Sequence, residues 1–415
     1  MANPAKKILF ISYDGMTDPL GQSQVIPYLQ GLSKHGYEIF LLSCEKKAAF
    51  AQNKTMVAAM LKGSSIQWLP LTYTKNPPAL STWFDIKKLK RAAAQVHREY
   101  HIDLVHTRPG VPALVGLWMK KQFGIKFLND IREFYADSRV EGGMWNVKNP
   151  LFKRIYKYFK SKETEAVRQS DGIVCLTHAA EKIIHQWPEY KPSVPLEVIP
   201  CSVDLDLFDP SRIDMIKKKE LRKELNIDER DLVVSYLGSI GGWYLTAEMM
   251  HFCKLLSDKK QNIKFLFISP HRHEVITTTA AAYGIDPSKI ITRKARRTEV
   301  PLLLSLSSYS IFFIRPCYSK LSSSPTKHGE IMAMGIPLIT NSGVGDVKEI
   351  VLRYNSGIVL DEFSETVFES AVDIVVSGYN YDTTEIRQGA KEFYSLESAI
   401  EKYNKIYGAI LDQSL

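Results

Sequence analysis

The sequence predicts an α/β protein built as two doubly wound, Rossmann-like domains that face each other across a cleft, with a last helix returning to the first domain. Three observations carry this. Short apolar runs alternate with amphipathic stretches along the chain, and strand–helix alternation builds parallel sheets covered on both faces. The chain has 415 residues, more than one core usually serves. The alternation pauses once, at Cys201–Arg212, where Asp204, Asp206, Asp209, Pro210 and Ser211 give a loop-like composition.

Ile8–Ser12 reads as a buried strand. Gln22–His35 follows as a helix, with Val25, Leu29 and Leu32 on one face and Gly36 as its stop. Glu38–Cys44, Ile66–Leu71, Asp103–Thr107, Lys126–Asp130, Gly172–Leu176 and Leu196–Pro200 read as further strands. A second set comprises Asp231–Leu237, Lys264–Ser269, Lys289–Thr292, Tyr309–Ile314, Pro337–Thr340 and Gly357–Leu360. The expected domains are 1–201 and 202–394. Segment 395–415, with a helix at Leu396–Ile410, returns to the first domain.

Hydrophobic residues make up 45% and charged residues 24%, an ordinary globular balance. No apolar run approaches the roughly 20 residues of a membrane span. Ile8–Ile11 is too short for a signal-peptide core. The expectation is a cytoplasmic protein, with the inner face of the cell membrane as a peripheral station. Cys44, Cys175, Cys201, Cys253 and Cys317 show no metal-ligand or redox spacing and read as small buried thiols. The net charge of +9 suits an anionic partner. A nucleic-acid module would leave the glycine and carboxylate motifs below without a role, so no nucleic acid is expected.

Ligands of doubly wound sheets bind outside the carboxyl ends of the strands, and the unusual residues fall there. Gly238-Ser239-Ile240-Gly241-Gly242 follows a strand and precedes a helix expected from about Trp243. Its free N–H groups and the helix dipole favour a phosphate; a plain tight turn is the alternative. Ser322-Ser323-Ser324-Pro325-Thr326-Lys327-His328-Gly329-Glu330 leads into a helix expected over Thr326–Met334. Lys327 adds charge beside the helix N-terminus, and Glu330 is placed to accept two ribose hydroxyls, or to serve the helix dipole. Gly15–Gln24, with Asp18, Gly21 and Gln22, is longer than a simple connection. In Asn129–Arg139, Asp130 ends a strand and Arg132 follows, as a cleft pair or a structural one. His106 and Arg108 follow the fourth strand, and Arg293, Lys294, Arg296 and Arg297 form a basic loop. Arg315, Lys320 and Lys327 are the cations available to a departing pyrophosphate.

Ser322–Glu330, with Ala333, Gly335 and Pro337, resembles the C-terminal signature of retaining nucleotide-sugar glycosyltransferases of the GT-B fold. Asp14–Leu29 resembles the first acceptor-side loop of that family, and Asp130–Trp145 a stretch of one bacterial branch. Ser170–Leu176, Val198–Phe208, Tyr236–Tyr244 and Gly343–Val347 match in order and spacing, so the resemblance covers the chain. It implies transfer of a sugar from a nucleoside diphosphate donor, UDP-sugar favoured, with retention and with no metal or other cofactor.

The resemblance gives Glu330 the donor ribose and makes Gly21, Gly238, Ser239, Gly241, Gly242, Arg293, Arg315 and Ser322–Lys327 the donor site. It leaves Asp130, Arg132 and Lys327 as catalytic candidates, with Asp18, Gln22, His106 and Arg108 on the acceptor side. Three departures stand out. Ser322 replaces the first glutamate of the Glu-x₇-Glu pair, Trp243-Tyr244-Leu245 replace an Arg and a Lys, and the histidine after the fifth strand is absent. The resemblance also implies domain closure, with 202–212 as a hinge.

For the acceptor, Lys148, Lys153, Arg154, Lys157, Lys160 and Lys162 interleave with Leu151, Phe152, Ile155, Tyr156, Tyr158 and Phe159. Such a helix suits an anionic membrane surface and a glycan or lipid-linked acceptor of surface polysaccharide synthesis; a core helix with a solvated face is the alternative. A nucleotide-sugar epimerase and a non-catalytic partner of the same fold are the competing functions.

Overall fold

The computed structural model describes residues 5–77 and 80–412. Residues 1–4 and 413–415 at the ends of the expected domains lie outside them. Two compact units result: residues 1–200 with 396–415, and residues 201–395.

The first unit is a parallel sheet of β1 (Lys7–Ser12), β2 (Glu38–Glu45), β3 (Ile66–Thr72), β4 (Leu104–Thr107), β5 (Lys126–Ile131), β6 (Gly172–Cys175) and β7 (Leu196–Val198). The order is β3-β2-β1-β4-β5-β6-β7, which reverses direction between β1 and β4. Strands such as β1 and β2 are buried on both faces and therefore read as unbroken apolar runs. The expected helix at 22–35 is two helices, Pro19–Gln24 and Ile26–Lys34. Val25 leaves helical geometry (φ −130°) one turn before Leu29, and Pro27 sits in the first turn of the second helix, where its missing N–H costs nothing. The last helix, Leu396–Leu411, buries Tyr403, Ile406, Tyr407 and Ile410 in the first unit.

The second unit is a parallel sheet of β8 (Leu232–Leu237), β9 (Ile263–Ile268), β10 (Ile290–Arg293), β11 (Tyr309–Ile311), β12 (Leu338–Asn341) and β13 (Gly357–Leu360). Its order, β10-β9-β8-β11-β12-β13, reverses between β8 and β11. The helix expected from Trp243 begins only at Thr246. Residues 243–245 instead pair with 313–315 around a bridge between Tyr244 and Ile314: the Arg315 amide donates to the Trp243 carbonyl at 2.9 Å, and the Leu245 amide to the Phe313 carbonyl at 3.0 Å. The N-terminus of the helix that follows therefore does not open directly on the glycine turn.

The segment expected as a hinge is tied into this unit. The Val203 amide donates to the Tyr394 carbonyl at 2.7 Å, Phe208 is fully buried, and Arg387 donates to the Phe208 carbonyl at 2.7 Å.

His328 lies wholly inside this core, its Nδ1 2.9 Å from the Tyr394 hydroxyl. Burial brings its pKa down to about 3, from 6.5 when exposed. Between those values the unfolded chain binds one more proton than the folded one. Stability contributed by neutral His328 is thus complete above pH 6.5 and drains as pH falls, by about 1.4 kcal/mol per pH unit. Urea unfolding at about pH 5.5 and about pH 4.5 should show this slope in the wild type and its loss in His328→Phe. Parallel pH dependence in the two proteins would contradict it.

Candidate active site

The loops at a topological switch point are where a doubly wound sheet receives ligands. In the second unit these are the turn after β8, residues 238–242, and the loop after β11, residues 312–325. Gly238 has φ +120°, and a Cβ there would lie 2.7 Å from Lys327 Nζ, so glycine is required both by the backbone and by the approaching lysine.

Lys327 opens the helix Thr326–Ala333 and is only 6% exposed. Its Nζ lies 3.8 Å from the Tyr244 ring centre, 4.3 Å from that of Tyr236 and 3.3 Å from the Tyr236 hydroxyl. Burial holds its pKa well below the usual lysine range, with the nearby Glu330 acting in the opposite sense. The charge expected of Lys327 beside the helix N-terminus is thus that of a largely desolvated amine.

Glu330 sits one turn on, 7% exposed, accepting from Arg297 Nη1 at 2.7 Å. Burial raises its pKa, while Arg297 and Lys327 pull it down. Arg297 comes from the basic loop after β10. Arg293, expected at the donor site, is instead ion-paired with Glu224 at the end of edge strand β10, with β9 between it and β8. Arg315 and Lys320 lie over the Trp243 ring at 4.9 and 3.8 Å.

Ser322 is fully buried and donates to the Ser319 carbonyl at 2.8 Å, closing a 3₁₀ turn, so its hydroxyl belongs to the loop itself. Ser324 Oγ accepts from the Cys201 amide at 3.2 Å. Ser323, Pro325 and Thr326 lead into the helix, with Pro325 at its N-cap, and Ser239 receives the Tyr236 hydroxyl on its carbonyl. Gly241 (φ +77°) and Gly242 (φ +65°) complete the turn. Sequence reasoning missed Arg272, whose Nη1 donates to the Ile240 carbonyl at 3.3 Å.

In the first unit the switch point lies between the loops after β1 and β4. There Arg108 Nη2 is 3.6 Å from Asp14. Glu45, also missed from sequence, is 2% exposed and accepts from the Met16 and Thr17 amides at 2.8 and 3.1 Å, which fixes the loop after β1. Asp18 is ion-paired with Lys46 at 2.8 Å, and Gln22 donates to the Thr17 carbonyl at 3.2 Å. A Cβ on Gly21 would strike the Gly15 carbonyl and the Met16 Cα, so this glycine lets the first helix close onto the loop.

Asp130 and His106 are both buried, 1% and 2% exposed, and Asp130 is paired with Arg132. Asp130 Oδ2 accepts from the Tyr403 hydroxyl at 2.8 Å and lies 3.3 Å from His106 and 3.5 Å from Arg132. His106 Nδ1 is 2.7 Å from the Tyr407 hydroxyl, and Arg132 donates to that of Tyr403 at 3.0 Å. The tyrosines come from the last helix. Burial pushes Asp130 up, but Arg132, with His106 and Arg108, outweighs it and brings the carboxyl to about 2. Burial lowers His106. A cavity of about 10 Å³, room for one water, adjoins Asp130, His106, Arg108 and Tyr403.

Among the described residues no cluster of three or more His, Cys, Asp or Glu is arranged to hold a metal, and no helix is long and apolar enough to cross a membrane.

Two family models match the chain: Glycosyltransferase Family 4 over residues 24–207 and Glycosyl transferases group 1 over 217–392. The alpha-monoglucosyldiacylglycerol synthase of Streptococcus pneumoniae is 23% identical over 254 residues, 60% of this chain and 54% of that protein. The chain thus spans about half the length of that curated relative. Sucrose-phosphate synthase of Thermosynechococcus elongatus superposes with a TM-score of 0.77 at 13% identity, over 99% of this chain and 100% of that one. Anabaena HepE in complex with UDP and glucose gives 0.70 at 12%, over 99% and 100%. These structural likenesses concern the fold. The two models tile both units, each unit carries the doubly wound sheet of such proteins, and the chain belongs to the GT-B glycosyltransferases.

Proposed function

We propose that this protein transfers a sugar from a UDP-sugar to a hydroxyl of a glycan or lipid-linked acceptor, with retention at the anomeric carbon, in the synthesis of a cell-surface polysaccharide. The observation that carries the reading is the grouping of Glu330, Lys327 and the 238–242 turn at one switch point. Glu330 is a buried carboxylate one helical turn from a buried amine that faces a glycine turn. The carboxylate suits the hydroxyl donors of a ribose diol, and the amine and the turn suit the negative charge of a diphosphate. UDP is favoured because HepE, which shares the fold, was solved with it.

In this reading the anomeric carbon–oxygen bond to the β-phosphate breaks, and both of its electrons leave on UDP. A new bond forms from the acceptor oxygen on the same face of the sugar. The acceptor proton passes to an oxygen of the departing phosphate. Lys327 and Arg315 stabilise the leaving charge, with no metal required, and most of the rate comes from positioning and preorganised charge. Asp130, which accepts from Tyr403 of the last helix, serves in this reading as a positioning carboxylate. A transfer assay tests this: UDP-glucose and an acceptor should yield UDP and a product whose anomeric configuration, read by NMR coupling, equals that of the donor. An inverted product, or a new nucleotide sugar formed without acceptor, would overturn it.

The helix Pro150–Gln169 supports a membrane-surface acceptor. It is capped by Asn149, whose side chain accepts from the Leu151 amide at 2.9 Å. It exposes Leu151, Lys153, Arg154, Lys157 and Tyr158. Basic residues near an anionic surface contribute about 1 kcal/mol each. Reversing Lys153, Arg154 and Lys157 to Glu should therefore weaken binding to phosphatidylglycerol vesicles by more than about 100-fold. Unchanged vesicle binding would remove the membrane from the account.

A further inference from the structure

We propose that Arg272 is a donor-binding residue, its guanidinium set against the 238–242 turn to take the diphosphate of the nucleotide sugar together with Lys327. This rests on the function proposed above and adds a cation from the loop after β9, where no sequence motif points to one.

The loop itself fixes the placement. β8 and β9 are neighbours, and the Gly238 amide donates to the Ile268 carbonyl at 2.9 Å, so the glycine turn and the loop after β9 start side by side. Ser269 is buried; its hydroxyl donates to the His271 carbonyl at 3.0 Å, and its own carbonyl lies 2.8 Å from His273 Nε2. The Val275 amide donates to the Arg272 carbonyl at 3.1 Å. Arg272 is thus pinned from both sides, in a left-handed conformation (φ +62°, ψ +36°). Its Nη1 donates to the Ile240 carbonyl at 3.3 Å, and a Cβ on Gly241 would lie 2.9 Å from that nitrogen. At the start of the turn Lys327 Nζ stands in the same relation to Gly238, 2.7 Å from a Cβ built there. The turn therefore carries one cation at Gly238 and another at Ile240–Gly241.

Three features set Arg272 apart from an ordinary surface arginine. Its charge is unspent. Arg293, Arg296 and Arg297 pair with Glu224, Glu299 and Glu330. Among the described residues the hydrogen-bond acceptor of Arg272 is one neutral carbonyl, which leaves the charge and most N–H groups of the guanidinium for a ligand. Its backbone is costly. Glycine adopts the left-handed region freely and a long side chain does not, and strain of this kind collects at ligand clamps. Its chemistry also differs from that of Lys327. A guanidinium offers a planar fork that matches phosphate oxygens, where an ammonium is a point charge. Arg272 is exposed and meets the donor on arrival, so its loss should fall on KM more than on kcat.

The test separates the charge from the hydrogen bond to the turn. Affinities for UDP and for inorganic pyrophosphate are measured by calorimetry on wild type, Arg272→Lys, Arg272→Gln and Arg272→Gly, with melting temperatures and transfer kinetics on UDP-glucose. Glutamine can still donate to the Ile240 carbonyl but carries no charge; lysine keeps the charge without the fork; glycine removes both and relieves the backbone. Arg272→Gln and Arg272→Gly should weaken both ligands about tenfold, a modest loss because solvent screens an exposed cation. Arg272→Lys should fall between them and wild type. Arg272→Gly should melt no lower than wild type, and KM should rise in Arg272→Gln with kcat within about threefold.

Arg272→Gln binding both ligands like wild type would overturn the role of Arg272 and leave the transferase reading intact. Equal losses in the lysine and glutamine variants, or an Arg272→Gly that melts several degrees lower, would reduce Arg272 to a strut of the loop and overturn it too. Pyrophosphate binding with the expected pattern, but no UDP binding by wild type, would keep the anion site and overturn the nucleotide reading. Binding of neither ligand by wild type would overturn both.

Discussion

Glu330→Ala should weaken UDP binding by about 1.5–3 kcal/mol, the range for hydrogen bonds to a charged group. That is roughly 10- to 150-fold in Kd. Glu330 is 7% exposed, and its partner in the ligand-free protein is Arg297 at 2.7 Å. Burial raises the pKa of this carboxyl, and Arg297 acts against that rise. Glu330→Gln, which keeps shape and one acceptor but donates where the carboxylate accepts, should fall between wild type and alanine. Arg297 is about one-third exposed on its side chain, so solvent screens the pair. Arg297→Ala should therefore cost much less than Glu330→Ala. Calorimetric titration with UDP checks the order, and equal Kd values for wild type and Glu330→Ala would refute the ribose role.

Lys327→Met should lower turnover by about 10²–10³, the usual loss when one preorganised stabiliser of developing negative charge is removed, and should change UDP affinity less. The same substitution should leave the ligand-free protein at least as stable as wild type. A buried ammonium costs free energy where solvation is lost, and burial already holds the Lys327 pKa well below the usual range. Methionine fills similar space among Tyr236, Tyr244 and Phe312 without that cost. Loss of turnover together with an unchanged or raised melting temperature marks a functional residue. Wild-type turnover in Lys327→Met would exclude a role in leaving-group stabilisation.

The fold was legible because its signals are local. Buried parallel strands read as apolar runs wherever they stand, and Gly357–Leu360 appears at its expected bounds. The errors arose where a neighbour distant in sequence overrides local pattern. The helix after the glycine turn starts three residues late because 243–245 pairs with 313–315. The helix at 22–35 breaks at Val25, a position that apolar periodicity alone assigns to the helix face.

At the site, residue types and spacing picked out Glu330, Lys327 and the glycine turn. They gave no sign that Lys327 would be buried between tyrosines, since cation–aromatic contacts across 83 or more positions leave no periodic trace. Arg293 and Arg297 belong to one basic loop, and only the sheet order decides that the second reaches Glu330. Tyr403 and Tyr407, more than 270 residues from Asp130, meet Asp130 and His106 through the returning helix. Arg272 adopts a left-handed backbone (φ +62°), which sequence does not announce for arginine.

The most direct test of a UDP-sugar site built on Glu330 is a thermal-shift panel with UDP, GDP and ADP on wild type and Glu330→Ala. The account predicts a clear upward shift with UDP in wild type, a smaller one or none with GDP and ADP, and loss of the UDP shift in the variant. No shift with any nucleotide, or the same UDP shift in both proteins, would contradict it.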